Sequence, residues 1–188
     1  MRAVGIYKSF GENRVLEDFT EEFPEGKLTA VMGSSGCGKS TLLMILMGLI
    51  PADSGRVEMP EKTRVSAVFQ EDRLCENLTV SANIRLVTGK RYTHEELKNH
   101  LSAVRLDDCA DKPVRELSGG MKRRTALLRA LLAEYDVLFL DEPFKGLDEE
   151  TRLRVMEYTK SMTAGRTVAL VTHDSRECEF LADKTIRL

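Results

Sequence analysis

Gly33-Ser34-Ser35-Gly36-Cys37-Gly38-Lys39-Ser40-Thr41 follows the apolar run Leu28 to Met32 and leads into the apolar run that starts at Leu42. The pattern is G-x-x-x-x-G-K-[ST] set between a strand and a helix, the context in which such a loop holds phosphate. Its glycines let successive backbone N–H groups turn inward around phosphate oxygens, and the helix N-terminus adds positive potential. Lys39 then neutralises β- and γ-phosphate charge, and the Ser40 hydroxyl is placed to ligate Mg²⁺.

Upstream, VGIYKSF (Val4 to Phe10), RVLEDF (Arg14 to Phe19) and KLTAVM (Lys27 to Met32) are short runs broken by Gly11, Pro24 and Gly26, which reads as strands and turns. Downstream, KSTLLMILMGL (Lys39 to Leu49) is too long for a strand and reads as a buried helix ended near Gly48 and Pro51. VSAVF, Val65 to Phe69, is a short buried strand. From Leu78 to Glu116 the chain turns charged. THEELKNHLSAVRL (Thr93 to Leu106) places Leu97, Leu101 and Val104 at helical spacing behind a Thr93/Glu96 capping pair. Ser118 to Ala133 and Glu149 to Met162 are further helices, and VLFL (Val137 to Leu140) and TVALVT (Thr167 to Thr172) are the continuous apolar runs of buried parallel strands. The expected architecture is an α/β core interrupted by a mostly helical insert.

The chain has 188 residues, 42% of them hydrophobic and 31% charged, the mix of one soluble globular domain or of one with a lobe inserted. Lys and Arg number 28 against 30 Asp and Glu, a formal charge of −2, which argues against a globally basic nucleic-acid binder. The longest apolar run, Leu42 to Ile50, is well short of the roughly 20 residues a membrane-spanning helix needs. Cys37, Cys75, Cys109 and Cys178 lie far apart without a CxxC pair, so they read as free thiols of a reducing cytosol.

Val137-Leu138-Phe139-Leu140-Asp141-Glu142 is an apolar strand ending in two carboxylates. Ligands of such sheets sit at the carboxyl ends of the strands, so Asp141 is placed to hold Mg²⁺ and Glu142 to act as general base on the attacking water. Leu117-Ser118-Gly119-Gly120 precedes this strand. By itself it reads as a capped helix whose glycines also expose N–H groups to an anion.

LSGG between a phosphate loop and VLFLDEP resembles the ATP-binding cassette (ABC) ATPase family over essentially the whole chain, closest to importers of nitrate, sulfonate and taurine type. The resemblance implies a P-loop NTPase (RecA-like) core with an N-terminal antiparallel β subdomain and an inserted helical subdomain. It implies a single domain over 1–188, with the core in 1–70 and 134–188 and the helical part in 71–133. It implies ATP and Mg²⁺ as cofactors and hydrolysis coupled to transport. Gln70 matches the Q-loop glutamine, which touches Mg²⁺ and the attacking water, and Asp148 in Gly146-Leu147-Asp148 matches the D-loop. His173 matches the switch histidine at the γ-phosphate. Phe10 falls where the family places an aromatic on adenine, with Tyr7 as its competitor. Catalysis thus falls to Glu142, His173, Gln70 and Lys39. Nucleotide contacts fall to Phe10, the loop Gly33 to Thr41, Ser118, Gly119, Gly120 and Asp148, and the metal to Ser40, Gln70 and Asp141. Met121 stands where the family usually has Gln.

The implied partners are a second copy of this chain, or a second ABC ATPase, integral membrane permease subunits and, for an importer, a solute-binding protein. The implied location is cytoplasmic, on the inner face of the cell membrane. No nucleic acid is expected. The rival reading, a soluble ABC ATPase acting on nucleic acid or ribosomes, would draw on the basic run Lys122, Arg123, Arg124 and Arg129, although such runs on helices are more often solvated surface. His94 and His100 are expected on exposed helix faces.

Overall fold

A computed structural model describes residues 1–188, which cluster into two compact units. The first comprises Met1–Val65, Tyr135–Asp141 and Ala164–Leu188, and the second Ser66–Glu134 and Glu142–Thr163.

The first unit opens with an antiparallel hairpin of β1 (Arg2–Phe10) and β2 (Asn13–Glu22), paired from Arg2↔Glu22 to Phe10↔Asn13 across Gly11 and Glu12. Ala3, Ile6, Leu16 and Phe19 turn inward, three residues apart on each strand, because a register shift between Ala3 and Ile6, with positive φ at Gly5 and Asp18, interrupts the simple alternation. Then come β3 (Leu28–Met32), almost entirely buried, and α1 (Lys39–Leu46), which stops short of the expected Leu49 because Gly48 takes a left-handed φ of 71°. β4 (Ser54–Glu58) joins the far edge of β1, giving the order β2-β1-β4.

Gly55 makes that last pairing possible. Its φ is +84°, and a Cβ there would lie 2.1 Å from the Gly5 carbonyl oxygen and 2.5 Å from that of Val4. Both obstacles are backbone and cannot rotate away. Gly55→Ala is therefore expected to cost more than about 2 kcal/mol, as overpacking and an incompatible φ add. A urea denaturation midpoint unchanged from the parent protein would refute this.

β5 (Val65–Val68) runs into the second unit. The helices there are α2 (Val80–Thr88), α3 (His94–Ala103), α4 (Gly119–Leu132) and α5 (Glu149–Thr163). α2 packs on α4, and α3 and α4 pack on α5, around Val80, Ile84, Leu97, Leu101, Leu127, Leu128, Val155 and Met156. The capping box of α3 forms as expected: the Thr93 hydroxyl accepts from the Glu96 amide and the Glu96 carboxylate accepts from the Thr93 amide. Asn83, fully buried on α2, exchanges hydrogen bonds with both backbone groups of Cys75 and donates to the carbonyls of Leu78 and Thr79. One side chain thereby closes the loop that precedes the helix.

The first unit is completed by β6 (Val137–Asp141), β7 (Thr167–Thr172), α6 (Ser175–Leu181) and β8 (Lys184–Arg187). Its parallel strands run in the order β6-β7-β3-β8. α1 packs on β6 and β7, and α6 on β3 and β7. The architecture is that of a P-loop NTPase: parallel strands covered by helices, with a separate antiparallel sheet and helical segments inserted in the chain.

Candidate functional site

Strand register brings the sequence signals of the first unit to one edge. Met32 pairs with Thr172, and Asp141 pairs with Val171, so β3, β7 and β6 end level with one another. The phosphate loop leaves β3, His173 follows β7, and Asp141 closes β6. With strands roughly 4.8 Å apart, Asp141 lies about 10 Å from the start of the phosphate loop. The carboxyl edge of a parallel sheet is where such proteins hold ligands.

The loop itself is shaped by glycine. Gly38, at the N-cap of α1, has φ 102°, and a Cβ there would lie 2.6 Å from Cγ1 of Val15 and 2.8 Å from its carbonyl oxygen. Gly33 is equally tight, 2.5 Å from the Cys37 Sγ, whereas Gly36 serves only to supply a positive φ of 82°. Lys39 is 6% exposed and donates from Nζ to the carbonyls of Gly33 at 2.8 Å and Ser34 at 2.7 Å, with the Cys37 sulfur at 3.9 Å. A buried ammonium met by carbonyl dipoles fits a polyanionic ligand such as a nucleotide phosphate tail. Ser34 and Ser35 are exposed, and Ser40 and Thr41 are half-buried at the start of α1. No three His, Cys, Asp or Glu side chains form a ready cage for a metal. Within the first unit, Ser40 and Asp141 supply the kind of oxygen donor that suits Mg²⁺, which binds through few protein groups and substrate phosphates. Phe10 and Tyr7, on β1, are 54% and 43% exposed, so both aromatic faces remain open to a base; the Lys8 ammonium stands 5.4 Å from the Phe10 ring.

The second unit holds the rest. Glu142, 9% exposed, adopts φ 46°, a left-handed conformation that costs a non-glycine residue about 1–3 kcal/mol unless its surroundings impose it. They do impose it. The Glu142 carbonyl accepts from the Arg123 Nη2 at 2.7 Å and the Lys145 amide at 3.2 Å, and the Lys145 ammonium reaches its Oε2 at 3.1 Å. Ser118 caps α4 by accepting from the Met121 amide at 3.3 Å, leaving Ser118 and Gly119 exposed and Gly120 half-buried. Asp148 caps α5 through the Thr151 amide at 3.0 Å, and this bond, with the Thr151 hydroxyl, holds its carboxyl below the usual range. Gln70 is exposed just beyond β5.

Two sequence expectations are corrected. The basic run on α4, expected as solvated surface, is held by partners within the chain. Arg123 is buried; Arg124 donates to the carbonyls of Gly120, Val104 and Arg105; Arg129 donates to those of Asp72 and Arg73; and Lys122 pairs with Glu76. The three arginines cap backbone carbonyls and the lysine meets a carboxylate, uses that a charge count cannot distinguish from solvation. His100 is likewise not on an exposed face. Its Nδ1 lies 2.7 Å from the Tyr158 hydroxyl, its ring meets Tyr92 edge-on at 5.1 Å, and burial lowers its pKa against the opposing charge of Glu96. Arg123 and Lys145 were missed as companions of Glu142. A signal for Arg123 existed, since it shares a helical stripe with the buried Leu127 and Ala130.

Known proteins resemble this chain in sequence and in fold. Residues 16–145 match the ABC transporter family. The aliphatic sulfonates import ATP-binding protein SsuB 1 of Rhizobium johnstonii is 40% identical over 98% of this chain and 71% of its own length, and that of Nocardia farcinica is 41% identical over 98% and 76%. The sulfate/thiosulfate import ATP-binding protein CysA of Burkholderia mallei is 37% identical over 97% of this chain and 58% of its own. Among solved structures, the dimeric post-hydrolysis state of the ATP-binding cassette MJ0796, bound to ADP and Pi, superposes with a TM-score of 0.83 at 27% identity, covering 100% of this chain and 93% of that one.

Proposed function

This chain belongs to the ABC transporter family, an ATPase whose hydrolysis drives solute transport, and from that premise we propose that it powers an importer of sulfonates or related sulfur oxyanions. It works as a head-to-tail pair with permease subunits on separate chains, at the cytoplasmic face of the membrane. The observation that carries the reading is the level ending of β3, β7 and β6, which collects the phosphate loop, His173 and Asp141 at one edge. The names of the relatives supply the solute class, and the dimeric cassettes support pairing. No helix is long and apolar enough to cross a membrane.

Each residue has a role in this reading. The amides of Gly33 to Thr41 and the Lys39 ammonium hold the β- and γ-phosphates of ATP, while Phe10, or Tyr7 beside it, stacks on adenine. Mg²⁺, held by Ser40, Asp141 and Gln70, would offset charge on the phosphates. Glu142 takes a proton from the attacking water, and His173 donates a hydrogen bond to the γ-phosphate. Ser118, Gly119 and Gly120 close on the ATP of the partner, with Asp148 at the same junction. Residues 71–133 form the helical subdomain of a single ATPase domain.

The test is uptake by proteoliposomes carrying the chain with its permease. Radiolabelled ethanesulfonate is expected to accumulate only with internal Mg-ATP. Uptake confined to a chemically unrelated solute would sink the sulfonate reading, and phosphate release no faster than in buffer would sink the ATPase assignment.

A further inference from the structure

One guanidinium in the second unit serves two candidate catalytic segments at once. The Arg123 side chain is 7% exposed. Its Nη1 donates to the carbonyl of Phe69, to that of Gln70 at 3.3 Å and to the Asp72 carboxylate at 3.2 Å. Its Nη2 donates to the Glu142 carbonyl at 2.7 Å. Arg123 lies in the second turn of α4, the helix that Ser118 caps and Gly119 begins. We propose that Arg123 is a positioning residue that fixes Gln70 and Glu142 in one frame carried by the LSGG helix.

The geometry requires a fork. A planar guanidinium presents donors on two edges at a fixed angle, so it can hold two backbone segments at a set separation; an ammonium on a flexible stem cannot. The Glu142 backbone needs such a hold, because its φ of 46° is unfavourable for glutamate. Arg123 touches main-chain oxygens of Gln70 and Glu142 and leaves their side chains to the reaction. A shift of α4 at its LSGG end then reaches both residues through a single rigid group.

The inference rests on the roles proposed above for Glu142 and Gln70, and its test separates the two. Arg123→Gln and Arg123→Lys are compared with the parent chain in steady-state ATP hydrolysis and in hydrogen exchange of peptides covering 66–75 and 140–148. For Arg123→Gln the expected results are a kcat lower by about tenfold or more, a KM for ATP within about twofold, and faster exchange in both peptides with the rest of the chain unchanged. Arg123→Lys recovers part of kcat. An unchanged kcat per folded molecule, or exchange raised uniformly along the chain, would overturn the positioning role. Should Arg123→Gln fail to fold, Asp72→Asn, at a residue only partly buried, is expected to speed exchange in both peptides and lower kcat about twofold; no change in either overturns the proposal. If the parent chain itself hydrolyses no ATP, the ATPase assignment fails while the exchange comparison still decides whether Arg123 joins the two segments.

Discussion

The Glu142→Gln protein is expected to bind ATP as the parent does and to hydrolyse it about 10²–10³ times more slowly. General base catalysis by a positioned carboxylate is worth roughly that range, and an amide of the same shape cannot accept the proton of the attacking water. The substitution leaves the backbone anchors in place, since the Arg123 guanidinium and the Lys145 amide both hold the Glu142 carbonyl rather than its side chain. What it removes is the charge that the Lys145 ammonium meets at 3.1 Å. Turnover should therefore fall without a matching rise in the KM for ATP. With hydrolysis blocked, the ATP-loaded pair should persist, and size-exclusion chromatography with Mg-ATP should move the protein from the monomer to the dimer position. A variant that turns over at the parent rate would remove Glu142 from the mechanism.

Lys39→Ala acts at the other end of the reaction, on binding. The ammonium is buried and faces the carbonyls of Gly33 and Ser34, so its loss both unties the loop and removes the only charge contributed by that loop. Hydrogen bonds to charged groups contribute about 1.5–3 kcal/mol each, and loss of about 2.7 kcal/mol raises Kd about 100-fold. Titration with a fluorescent ATP analogue is the measurement. Lys39→Arg should not restore affinity, because a planar fork cannot replace a compact ammonium inside a closed loop. Affinity within threefold of the parent for Lys39→Ala would place the phosphates elsewhere.

The two substitutions fall on residues that the sequence displays openly, and the reason is local. A phosphate loop is defined by glycines whose φ values no other residue accepts readily, and its lysine sits one position beyond them. The strands β3, β6 and β7 are nearly uniform apolar runs, so burial on both faces announces itself. β4 was invisible for the opposite reason. SGRVE has no apolar alternation, and what makes it a strand is its backbone pairing with β1 past Gly55, a non-local event. The left-handed φ of Glu142 had no signal at all, because glutamate does not advertise it and the groups enforcing it come from Arg123 and Lys145. Residue types with sharp backbone requirements can be read from the chain; side chains recruited to distant carbonyls cannot.

The buried Asn83 has a kinetic consequence. By closing the segment Cys75 to Thr79 upon itself, it ties that segment to a fully buried amide on α2. Opening the segment then requires breaking several bonds to one buried side chain together, so it opens with the helix and not as a freely fluctuating loop.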